Sequence, residues 1–240
     1  MLELPLAIYL LLYLPVQQMW RSLRTRRTAR TLQPERSRLR LYWSMTAQLA
    51  ALLAVLAASA WMRERTPAEL GLDWPLSVAG QWGIGLACLL VPALHGVATL
   101  QERRMDAAAR AALEARLEEG LAPPRTAGEL AGFLVMCVAL GAGWEILYRG
   151  FLLPVLAPHV GMPGAVILAA LAYGIGHGFS TPGQFAGSIV SAFAFTGAYA
   201  LSGSLWWLIV IHIGVPAGMG IGAWLRHRRK GAPDSWLAAP

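Results

Sequence analysis

Apolar residues gather along this chain in long runs, separated by short stretches rich in arginine, glycine and proline. A bilayer core about 30 Å thick needs roughly 20 mostly apolar residues in helical form to cross it. The pattern predicts seven such segments, at about 5–20, 41–62, 76–100, 127–156, 162–179, 184–201 and 204–225. Between the third and fourth lies QERRMDAAARAALEARLEEGLAPPR. Its Ala, Leu, Glu and Arg predict a helix up to Gly120, stopped by Pro123 and Pro124. That helix suits the membrane surface, with Met105, Leu113 and Leu117 turned inward. The first apolar run has no basic residue before it and no small-residue cleavage site, so it is expected to be a retained helix and not a signal peptide.

Composition sharpens this picture. Of 240 residues, 56% are hydrophobic and only 14% charged, against about 25% charged in soluble domains. A water-soluble function is excluded. The net charge of +7 rests on nineteen Arg and one Lys. These residues flank the apolar runs, which argues for membrane orientation and against nucleic acid as a partner. Arg21, Arg24, Arg26, Arg27, Arg30, Arg36, Arg38 and Arg40 follow the first run; others surround the polar helix and begin the tail. With seven spans all three clusters fall on one side. The positive-inside rule then sets the N-terminus outside and the C-terminus inside.

The expected fold is therefore an all-α polytopic transmembrane helical bundle, with the lipid bilayer as its partner. Its parts are 1–126 with the basic loop and surface helix, 127–225 as the core bundle, and 226–240 as a basic tail. Small residues crowd the last three segments and let helices approach closely. Cys88 and Cys137 lie in apolar runs and read as buried thiols.

Ionisable groups at membrane depth are costly, roughly 2.5–3.5 kcal/mol each on insertion scales. Five stand out: Glu145, Arg149, His177, His212 and His95. Glu145 and Arg149 are four residues apart in GWEILYRGFLLP and share one helical face; they form either a structural ion pair or an oriented carboxylate. His177 in AYGIGHGFS and His212 in LIVIHIGVP lie on two further segments. At 1.5 Å per residue the three segments allow Glu145, His177 and His212 to meet. Two imidazoles and a carboxylate can hold and deprotonate a water, with or without a metal such as zinc. His95 reads as a packing or supporting residue. His159 and His227 read as solvated.

The motifs resemble those of the CPBP family of intramembrane proteases, which includes type II CAAX prenyl endopeptidases and bacterial bacteriocin-processing and immunity proteins. The family pattern runs Glu-Glu-x-x-x-Arg, then Phe-x-x-x-His, then His-x-x-x-Asn. Here it reads Trp144-Glu145-Ile-Leu-Tyr-Arg149, then Tyr173-Gly-Ile-Gly-His177, then His212-Ile-Gly-Val-Pro216. The resemblance spans about 127–225. It implies that Glu145 and His177 activate a water, that His212 stabilises the oxyanion and that Arg149 orients Glu145. It leaves open a zinc ion held by Glu145, His177 and His212. The implied substrate is a membrane-anchored peptide or protein, and the implied location the bacterial inner membrane. Trp144 stands where the first glutamate would be, and Pro216 where the asparagine would be. These departures set a rival reading beside the peptidase: a non-catalytic scaffold or immunity protein that binds membrane peptides. A small transporter using the polar set as a relay is the third reading.

Overall fold

The computed structural model describes residues 2–28 and 38–230. The chain opens with α1 (Glu3–Ile8), a π-helical turn (Tyr9–Tyr13) and α2 (Leu14–Thr28). Then come α3 (Arg38–Met62) and α4 (Val78–Arg104), joined by a loop holding a short 3-10 turn (Ala68–Leu70). The polar helix is α5 (Ala107–Leu121). The last part is α6 (Ala127–Glu145), a π-helical segment (Ile146–Leu152), α7 (Leu153–Gly176), α8 (Pro182–Ser202) and α9 (Trp206–Lys230). Arg30, Arg36 and the tail beyond 230 lie outside the described residues.

The helices start where side chains can satisfy their first free N–H groups. Ser77 accepts from the Gly80 N–H, Asp106 from Ala109 and Thr181 from Gln184. Thr126 and Glu129 form a reciprocal capping box at the start of α6. On α5, Leu113 and Leu117 are half-buried, as is Met105 just before it.

Among the described residues, five helices are long and apolar enough to cross a membrane: 38–62, 78–104, 127–176, 182–202 and 206–229. Seven spans were expected, and the difference has two sources. The first segment is helical, but Pro5, Pro15, Gln17 and Gln18 dilute its apolar run. The fourth and fifth segments run together as 50 helical residues, more than twice what one crossing needs. Within that run Gly161 leaves helical geometry, with φ of 71°, so the expected boundary near Pro158, Gly161 and Pro163 survives as a break. Large apolar side chains cover the outside, among them Trp61, Trp82, Leu89 and Leu201. In a membrane bundle this surface meets lipid. Cys137 is buried as expected, whereas Cys88 is exposed, because α4 turns nearly all of its surface outward.

The interior forms around the π-helical segment, where Leu147, Phe151 and Leu152 are wholly buried. On one side α6 packs between α3 and α9; on the other α7 packs against α8 and α2. The α6–α9 contact is close. A Cβ on Gly141 would sit 2.9 Å from the His212 carbonyl oxygen, so only glycine fits.

The loop after α3 seats on the same region. The Leu70 carbonyl lies against Gly150, the Leu205 N–H donates to the Gly71 carbonyl at 2.8 Å, and the Trp206 indole N–H donates to the Asp73 carbonyl at 2.9 Å. Burial pushes the Asp73 carboxyl up, but Ser77 and Ser204 beside it favour the charged form and together hold it below its ordinary 3.8.

Two outcomes follow from this packing. Gly141→Ala is expected to cost about 1–3 kcal/mol through overpacking, while Gly128→Ala, with open space around it, leaves stability nearly unchanged; thermal unfolding in detergent measures both. The lowered Asp73 value means that its stabilisation is present above 3.8 and lost as pH falls through the folded-state value. Proteolysis of the 66–77 loop is therefore expected to rise on acidification in the wild type, and to lose that acid step in Asp73→Asn.

Candidate active site

Glu145 is the last residue of α6, and Arg149 lies in the π-helical segment that follows. Such wide turns inside α-helices recur at functional sites. Both side chains are completely buried. Arg149 Nη1 lies 2.5 Å from Glu145 Oε1. The Tyr173 hydroxyl donates to the same oxygen at 3.2 Å, and His212 Nδ1 lies 3.2 Å from it. Two donors, Arg149 and Tyr173, thus converge on one carboxylate oxygen, with the His212 ring close beside it. The other oxygen, Oε2, is buried and has no protein partner, and neither have Nε and Nη2 of Arg149.

The two histidines share a local geometry. Nδ1 of His177 is 2.9 Å from the Tyr173 carbonyl, and Nδ1 of His212 is 3.1 Å from the Leu208 carbonyl. Carbonyls only accept, so in the neutral rings the proton sits on Nδ1 and Nε2 is the acceptor. The N–H of His212 is therefore committed to the Leu208 carbonyl, and its ring lies beside Glu145 without a hydrogen bond to it.

His177 does not touch Glu145. Its ring packs edge-to-face on Tyr173, with centroids 4.7 Å apart, and it lines a half-open cavity of about 200 Å³. Around that cavity stand Trp144, Tyr148, Tyr173, Gln18 and Gln48. Of the residues expected to gather, the structure joins Glu145, Arg149 and His212 directly and leaves His177 one ring away. Trp144 forms cavity wall where a carboxylate would stand in the family pattern. Pro216 lies inside α9 and lacks the N–H that would bond the His212 carbonyl.

His95 packs over Gly218 with Nε2 3.1 Å from the Gly214 carbonyl, a structural contact on the helix that carries His212. His159 and His227 are exposed. Tyr173 is the residue that motif spacing gave no task. The available signal was a hydroxyl at membrane depth four residues before a histidine.

Among the described residues, no group of three His, Cys, Asp or Glu is placed to hold a metal ion. A zinc ion held by Glu145, His177 and His212 does not fit this donor set: a guanidinium already occupies Glu145 Oε1, and His177 is not part of the group. Cutting the pair has a predictable effect. Arg149→Met leaves a buried carboxylate without its cation and is expected to cost about 3–5 kcal/mol. The double variant Glu145→Gln/Arg149→Met is expected to cost less than Arg149→Met alone; unfolding in detergent compares them.

No curated protein and no solved structure matches the chain. Residues 126–217 match the family model described as type II CAAX prenyl endopeptidase Rce1-like. Glu145, Arg149, Tyr173, His177 and His212 all lie inside that match, which covers less than half of the chain and marks a likeness to this family of endopeptidases.

Proposed function

We propose that this protein is an intramembrane endopeptidase that hydrolyses a peptide bond in a membrane-anchored peptide or protein. The observation that carries the reading is Glu145: one carboxylate oxygen is held by two donors, with the His212 ring beside it, while the other is buried without a hydrogen-bond partner. A buried carboxylate oxygen calls for a donor. A water bound at Oε2 meets that need and is oriented for deprotonation. The water oxygen attacks the peptide carbonyl carbon and its proton passes to Glu145. The carbon–nitrogen bond then breaks, and that proton goes to the leaving amine. His177, with Nε2 as acceptor at the cavity, is the second group able to take a proton from water. Arg149 and His212 act through Glu145, fixing its direction and charge. The substrate enters the bundle from the bilayer. We place the protein in a bacterial inner membrane, N-terminus outside and C-terminus inside.

Trp144 favours a second reading. An aromatic wall without a carboxylate suits a cavity that binds a membrane peptide and does not cut it, as a scaffold or immunity protein would. Peptide release separates the two. Purified protein in nanodiscs is given membrane-anchored peptides, and products are read by mass spectrometry. Glu145→Gln and His177→Ala are each expected to lower turnover by about 100-fold or more. Equal release by wild type and both variants ends the peptidase reading. Binding without release supports the second.

A further inference from the structure

The candidate groups fall into two sets. Glu145, Arg149 and His212 meet in the buried interior; His177 and Trp144 line the cavity. Tyr173 belongs to both. Its hydroxyl donates to Glu145 Oε1 at 3.2 Å, and its ring is part of the cavity wall. Arg149 Cζ lies 4.4 Å from the centre of the same ring, and His177 packs edge-to-face against it. The Tyr173 carbonyl accepts from His177 Nδ1. Tyr148, whose hydroxyl donates to the Leu10 carbonyl at 2.9 Å, braces it from the other side with ring centroids 5.0 Å apart.

We infer that Tyr173 is a positioning residue for the proposed hydrolysis: its hydroxyl holds the Glu145 carboxylate while its ring holds His177 in register with it. The inference rests on the reading of Glu145 as the water-activating group. Arg149 comes from the turn directly after Glu145, and one contact on one oxygen leaves the carboxylate free to rotate about its last bond. The Tyr173 hydroxyl from α7 removes that freedom, because rotation would break its bond, and the His212 ring from α9 lies against the same oxygen. The Tyr173 contact is also what links the interior set to the cavity set, since His212 is not part of the cavity wall. The family pattern has phenylalanine at this position, so the hydroxyl is a feature of this chain.

Tyr173→Phe tests it, because the ring, its stacking with His177 and its contact with Arg149 all remain. Peptide release by this variant is expected to show kcat lowered about 10- to 100-fold, with KM within about twofold of wild type. Unchanged kcat overturns the inference while leaving the peptidase reading intact. A rise in KM alone also overturns it, since that marks a substrate-binding wall. If wild type releases no peptide, the peptidase reading fails by itself, and a stability cycle still decides about Tyr173. Tyr173→Phe, Glu145→Gln and the double variant are unfolded in detergent. Non-additive losses support a hydroxyl that holds this carboxylate; additive losses overturn it.

Discussion

A carboxylate removed from water inside an apolar bundle is the constraint around which this structure is organised. Glu145 and Arg149 are both fully buried. Desolvating two such charges costs several kcal/mol each before they attract one another. The pair persists because an extra donor converges: a phenol hydroxyl from α7 shares the Oε1 of Glu145 with the guanidinium, and an imidazole ring from α9 lies beside it. A purely structural pair would be expected to satisfy both carboxylate oxygens. This one leaves the buried Oε2 without a hydrogen-bond partner, and the proposed hydrolytic role rests on that asymmetry.

The backbone arrangement serves the same end. A π-helical segment begins right after Glu145 and carries Arg149 into the centre of the bundle. Glycines let neighbours come close: Gly141 admits the His212 backbone, and Gly150 admits the Leu70 carbonyl. The loop after α3, tied to Leu205 and Trp206, packs on the π-helical segment at Gly150. Rigid placement of this kind is what orienting a water requires.

Much of this was legible in the sequence, and the reasons differ by element. Long apolar runs revealed the membrane bundle because a bilayer demands length. The break between the fourth and fifth segments was visible in Pro158, Gly161 and Pro163, since few other residues reach the backbone angles found at Gly161. The Glu145–Arg149 pair followed from helical spacing, and the order of motifs indicated the family. The role of Tyr173 was not legible, because a phenol hydroxyl in an apolar run looks the same in sequence whether it packs or donates. Nor was the separation of His177 from Glu145: helix length gives depth along the bundle but not rotation about each axis. The closeness of the His212 ring to Glu145 depends on the α6–α9 approach, which Gly141 permits and no spacing rule encodes.

The most direct measurement is a high-resolution experimental structure of the purified protein in a lipid nanodisc, read at Glu145. The account predicts an ordered water bonded to Oε2, with Arg149, Tyr173 and His212 gathered on Oε1. A carboxylate whose second oxygen is closed off by protein groups, with no solvent reaching it, would contradict a hydrolytic centre and leave the buried pair as a purely structural feature.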